Sequence, residues 1–179
     1  WTANNTLTTY NRSPRTGAWN AFLRYGNTDW VFIPVELVGG TSYTTDVYAR
    51  QDGATATNSD VEISYGTANN AAAMTNSIAP ATGIVNGNYQ LITGAFTPTV
   101  SGVYYVGIKG YMNASPWYIS IDDIAIYESP SCVPPSVLTA TNITATSADL
   151  GWTSTASNWQ VEYAAAGFTP GTGTTFMTS

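Results

Sequence analysis

Two carboxylates stand side by side at Asp122-Asp123. A glycosidase pair flanks its bond at roughly 5–9.5 Å with one pKa raised, which adjacent acids on one strand do not do. Holding a cation suits them better. Ca²⁺ asks for about six to eight hard oxygen ligands. Two carboxylates on a strand irregularity supply some of these, and Asp29 or an N-terminal carbonyl adds others. The competing reading has one acid capping turn amides and the other solvated. Other chemistry is scarce. The chain has no His, which removes the usual general base and the commonest metal ligand. A Ser or Cys nucleophile needs a base such as His or Lys, yet the single Lys109 falls mid-strand and the single Cys132 falls in a Pro-rich segment. A lysine–asparagine cross-link at Lys109 has no acid placeable beside it, so that lysine reads as solvated. The chain is expected to be no enzyme.

Binding chemistry is better represented. Tyr105, Tyr111, Trp117 and Tyr118 surround the segment 111–116. Aromatic rings bury large areas at small entropic cost and stack on sugar rings or protein surfaces. Core and cross-strand packing is the plainer role for the same side chains. Trp19 and Trp30 read as core. The Asn-X-Ser/Thr triplets at Asn4, Asn11, Asn113 and Asn142 matter only in a eukaryotic secretory protein.

The elements that must position these groups are strands. Short β-branched and aromatic runs alternate with turn residues such as Gly39-Gly40, Asp52-Gly53, Asn86-Gly87 and Ser101-Gly102, the pattern of a β-sandwich or jelly roll. Strands are predicted over 30–37, 42–50, 61–65, 89–96, 102–110 and 117–127, with weaker ones over 7–10 and 18–25. The run 68–77 reads as one helical turn or a loop. In the strand from Gly102, Tyr104, Val106 and Ile108 face the core. In the next, Ile119 and Ile121 set one phase, and Ile124 and Ile126 set the opposite one. A β-bulge at Asp122-Asp123 restores a single apolar face. After the stiff run 129–136, a second β unit is predicted, with strands over 137–141, 147–153, 158–164 and 172–178. The domains are therefore 1–129, a linker at 130–135, and 136–179.

Composition bounds the partners. Among 179 residues, Lys+Arg number 5 and Asp+Glu 11, for a net charge of −6. Five cations make no nucleic-acid or anionic-membrane patch. Hydrophobic residues at 44% and aromatics at 13% suffice for a packed core. Polarity carried by Thr, Ser, Asn and Gly suits a secreted surface protein. No apolar run is long enough to span a membrane. The chain opens on Trp1 without a basic, then apolar, leader, and is expected to be a mature or trimmed piece.

Two family resemblances add to this. The residues Ala148-Asp149-Leu150-Gly151-Trp152, Trp159-Gln160-Val161-Glu162-Tyr163 and Gly167 to Gly173 resemble part of a fibronectin type III domain, in the form common in secreted Bacteroidetes proteins. The strands expected next in that domain, with their Leu-Pro-Tyr corner, do not follow. The resemblance implies that Cys132 pairs with a cysteine beyond this chain. Residues 29–127 resemble the cleaved-adhesin and choice-of-anchor J modules, relatives of the MAM jelly rolls. Asp29 to Pro34, Gly39 to Tyr43, Val61 to Thr67, Phe96 to Ile108 and Ile121 to Ile124 carry the likeness. One departure is the absence of the strand that usually precedes the position of Trp1.

These resemblances imply an all-β chain, a jelly-roll sandwich followed by a partial immunoglobulin-like sandwich. They also imply type IX secretion, an extracellular or cell-surface location and a structural Ca²⁺ at Asp122, Asp123 and Asp29. The function implied is non-catalytic adhesion or binding, with an extracellular protein, a glycan or copies of the chain itself as partner. The alternatives are an accessory or spacer module of a larger secreted enzyme such as a protease, or a structural subunit of an extracellular filament built by strand complementation.

Overall fold

The computed structural model describes residues 1–53, 59–113, 116–130, 135–154 and 156–179. They are all-β and fall into two compact units, Trp1–Ser129 and Pro130–Ser179. Cys132 and most of the 130–135 segment lie outside the described residues.

In the first unit the strands are β1 (Thr2–Asn4), β2 (Asn20–Arg24), β3 (Thr28–Leu37), β4 (Tyr43–Gln51), β5 (Ser59–Gly66), β6 (Asn76–Gly83), β7 (Gln90–Phe96), β8 (Gly102–Met112) and β9 (Tyr118–Glu128). They form a five-stranded sheet, β1-β2-β9-β4-β7, and a four-stranded sheet, β3-β8-β5-β6. Every pairing is antiparallel, and side chains of both sheets share one core. This is a jelly-roll sandwich. Strand β4 shows the cause most simply. Its residues alternate buried and half-buried along the whole strand, with Tyr43, Val47 and Ala49 inward. Inward residues of the other sheet, Val61, Ile63, Val106 and Ile108, are fully enclosed. Each such burial contributes about 1.5–3 kcal/mol.

Three local features depart from simple alternation. In β9, Tyr48 of β4 faces Asp122 while Asp46 faces Ala125. The strand thus carries one extra residue, and Asp123 takes a left-handed φ of 46°. This is the bulge that the reversal of isoleucine phase predicts. Strand β6 starts at the end of the run expected to be one helical turn or a loop, extends where no strand is predicted, and contains Pro80. Proline lacks an N–H for a second neighbour, so it is tolerated at a sheet edge, and β6 is the edge strand. The pairing slips between Val61 and Ile63 opposite it. Residues 7–10 are not the weak strand expected: Thr9–Asn11 is a single 3-10 turn.

The segment between β1 and β2 is a strap across the outer face of the five-stranded sheet. Its fasteners are arginines. Arg12 lies over the Tyr118 ring at 4.2 Å and near Phe22 at 5.2 Å. Arg50 of β4 donates to the Ser13 carbonyl at 2.7 Å, and Ser120 Oγ donates to the Asn11 carbonyl. Asn4 and Asn20 both donate to the Arg12 carbonyl, at 2.7 and 3.0 Å.

In the second unit β10 (Ser136–Thr141) pairs with β11 (Asp149–Thr153), and β12 (Trp159–Tyr163) pairs with β13 (Thr174–Thr178), both antiparallel. None of its described residues is fully buried. Trp152 and Trp159 meet edge to face at 5.6 Å, beside an apolar cleft of ≈ 510 Å³ that Leu138, Leu150 and Val161 also line.

Candidate functional site

Residues opposite one another across an antiparallel pair share a face. In β3, Val31, Ile33 and Val35 pack against the core and Leu37 is buried. The alternate residues Trp30, Phe32, Pro34 and Glu36 therefore point outward. The register continues this face through Lys109, Gly107, Tyr105 and Val103 of β8, and on to Glu62, Ser64 and Gly66 of β5. Tyr111 and Asp60 form the next row.

An aromatic platform occupies this face. The Trp30 and Phe32 rings are parallel within 6°, with centroids 5.8 Å apart, and both are half-buried. Gly107 is their floor. A Cβ there would stand 3.0 Å from Trp30 Cε3 and 2.5 Å from Met74 Sδ, so only glycine lets both side chains lie against the sheet. Met74 arrives on the 67–75 loop, which the Ala71–Ala73 turn shapes and the Asn70 side chain caps. At the platform's edge Lys109 Nζ pairs with Glu62 Oε2 at 3.2 Å and stands 5.7 Å from the Trp30 ring. Ser64 Oγ donates to the other Glu62 oxygen at 3.2 Å. A shallow cleft of ≈ 100 Å³ lies alongside, lined by Asp60, Glu62, Ala81, Lys109 and Tyr111. The arrangement sets a pair of stacked, half-buried aromatic rings beside polar groups able to hydrogen-bond a ligand. Lys109 is thus not simply solvated, and an acid does stand beside it.

The sequence-chosen aromatics divide among three places. Tyr105 and Tyr111 belong to the platform face. Tyr118 lies on the other sheet under Arg12, edge to face with Phe22 at 5.5 Å. Trp117 is 52% exposed and packs edge-on against Tyr25 at 4.7 Å, while its backbone N–H donates to Asp52 at 2.9 Å. Burial holds the Asp52 carboxyl above the usual carboxylate range, against the pull of that N–H. Trp30 is on the outer face rather than in the core. Trp19, also expected inside, is 59% exposed.

Of the proposed calcium ligands, Asp122 and Asp123 meet the same two strap residues and Asp29 lies apart. Asp122 Oδ2 accepts the Arg15 and Thr16 N–H groups at 2.6 and 3.3 Å, and its Oδ1 accepts the Asp123 N–H at 2.8 Å. Asp123 accepts Arg15 Nη1 at 2.5 Å and the Thr16 hydroxyl. Those two donors hold the Asp123 carboxyl below its ordinary value, the Thr16 hydroxyl most strongly. The Arg15 guanidinium also lies 3.6 Å from the Tyr48 ring centre. Asp29, on β3, instead meets the Trp1 amino group. Among the described residues, no three of Asp, Glu and Cys gather as metal ligands. The acid pair fits an anchor for the strap, filled by a cation of the chain itself, and does not fit a calcium cradle.

No protein-family model matches the chain, and no curated protein matches it. Among solved structures, a family 16 carbohydrate-binding module-2 is similar at a TM-score of 0.47 and 18% identity, over 64% of this chain and 79% of that one. The CBM22-1–GH10 modules of a Clostridium thermocellum endo-1,4-beta-D-xylanase, complexed with xylohexaose, are similar at 0.44 and 15%, over 70% of this chain and 25% of that one. The CBM22-2 xylan-binding domain of a Paenibacillus barcinonensis protein is similar at 0.39 and 12%, over 60% and 91%. No helix among the described residues is long and apolar enough to cross a membrane.

Proposed function

We propose that the chain is a non-catalytic extracellular binding module, and that it holds a glycan on the outer face of the four-stranded sheet. The observation that carries this is the parallel Trp30–Phe32 pair, left half open beside the Glu62–Lys109 ion pair. Sugar rings present flat C–H faces to such rings and hydroxyls to such rims. The chain has no His, and its only lysine is held by a glutamate. Adhesion and the cleaved-adhesin kinship belong to this reading, as does export to the cell surface. Affinity electrophoresis through gels containing soluble polysaccharides tests it. The native chain should be retarded, and Trp30→Ala and Phe32→Ala should each abolish most of the retardation. Retardation that survives both substitutions would move the ligand elsewhere.

The second unit favours a further role. Leu138 is 73% and Leu150 52% exposed, and both line the apolar cleft beside the two tryptophans, a face that additional strands would cover. Strands from elsewhere in a larger secreted enzyme would make this chain its spacer. Strands from another copy would make it a filament subunit. Sedimentation over a wide concentration range separates the two, since only the second grows with concentration.

A further inference from the structure

We infer that the platform selects neutral glycans and rejects acidic ones. This rests on the glycan reading above and adds the ligand's charge. The chain's five cations are Arg12, Arg15, Arg24, Arg50 and Lys109. Arg12 and Arg15 belong to the strap and Arg50 fastens it, all against the five-stranded sheet. Arg24 lies on β2 of that same sheet, over Tyr25.

Only Lys109 stands on the platform face, and Glu62 holds it. Glu36 and Asp60 share that outer face with no further cation. A uronate or sulfate ester approaching Trp30 therefore meets net negative charge. It finds its one possible counter-ion already paired. Discrimination of this kind comes from unfavourable pairing built against the wrong ligand rather than from extra contacts to the right one. Neutral sugars lose nothing, because Glu62 and Asp60 accept hydroxyl hydrogens and Lys109 donates to hydroxyl oxygens.

The signature is a difference in salt response. Stacking and neutral hydrogen bonds are nearly indifferent to ionic strength, whereas repulsion between an acidic polymer and an acidic face is screened by it. The experiment measures binding of the 179-residue chain to hydroxyethylcellulose, neutral xylan and galactomannan on one side, and to polygalacturonate and alginate on the other, at low and high NaCl. Neutral polymers should bind about equally at both salts. Acidic ones should bind about tenfold or more weakly, with the gap narrowing as salt rises. Glu62→Gln with Asp60→Asn frees Lys109 and should raise acidic-polymer binding relative to neutral-polymer binding.

Circular dichroism and melting temperature check that each variant folds. Phe32→Ala serves as the second platform variant should Trp30→Ala not fold. Acidic polymers bound as tightly as neutral ones, and lost on Phe32→Ala, would overturn the charge inference and leave the glycan site standing. No binding to any polymer would overturn the glycan reading itself.

Discussion

Arg12 is the point where the strap is most exposed to test. Its guanidinium lies against both Tyr118 and Phe22, with the Tyr10 ring at 6.0 Å, and only 9% of the residue remains accessible. Its Nε donates to the Thr9 carbonyl at 3.0 Å, and its Nη2 to Thr9 Oγ1 at 2.9 Å. A desolvated cation–π contact contributes roughly 2 kcal/mol, and hydrogen bonds from a charged donor about 1.5–3 kcal/mol each. Simple addition overshoots, because truncation lets water reach Thr9 and neighbouring terms are not additive. A net loss of about 2–3 kcal/mol is expected for Arg12→Ala. For a domain of this size that corresponds to a melting temperature lower by roughly 6–12 °C.

Differential scanning calorimetry reads the loss, and limited trypsin digestion reads its place. The bond after Arg15 lies on the same strap and should be cut faster in the variant. Arg12→Lys keeps the charge but not the planar stack, and should lose about half as much. A melting temperature within about 1 °C of the native value, with unchanged cleavage after Arg15, would refute the strap's packing.

The acid pair gives a pH dependence of known sign. Asp123 has its folded pKa depressed by Thr16 and Arg15, so its contribution is complete above the unfolded value near pH 4 and is lost as pH falls through the lower, folded value. Asp123→Asn should flatten the acid limb of a melting-temperature profile in that window. Because Arg15 already fills the pair, millimolar Ca²⁺ or EDTA should leave the native melting temperature unchanged; a calcium-dependent rise lost on Asp122→Ala would put the metal there after all. Gly66 lies directly beneath the Ala73 carbonyl, where a Cβ would collide with backbone. Gly66→Ala should therefore cost about 1–3 kcal/mol, read by chemical denaturation, and should lift the 67–75 loop from the sheet.

Where periodicity is strong the fold was legible in the sequence. Strand β4 announces its inward row, and the isoleucines flanking Asp122-Asp123 change phase where the bulge lies. Strand β6 was not legible. Apart from Ile78 its residues are small or polar and interrupted by Pro80, and what makes it a strand is a vacant edge beside β5. The strap was illegible for another reason: Arg12 meets Tyr118 across a long sequence separation, and no local pattern encodes that. The platform was partly legible. Residues 30–35 are apolar in both phases, aliphatic in one and aromatic at Trp30 and Phe32 in the other. Assigning Trp30 to the core on hydrophobicity alone discarded that clue, since one face of an antiparallel sheet commonly meets solvent. The sequence-chosen aromatics near 111–116 mixed two sheets because proximity along the chain stood in for proximity on a face.

The most direct measurement of the central claim is a titration of the ¹⁵N-labelled chain with cellohexaose and with xylohexaose, followed by backbone and indole N–H shifts. The largest shifts are expected at the Trp30 indole, Phe32, Gly107 and Lys109, with the strap residues Arg12, Arg15 and Thr16 unmoved. Shifts confined to the strap sheet or to the second unit, or none with either sugar, would contradict it.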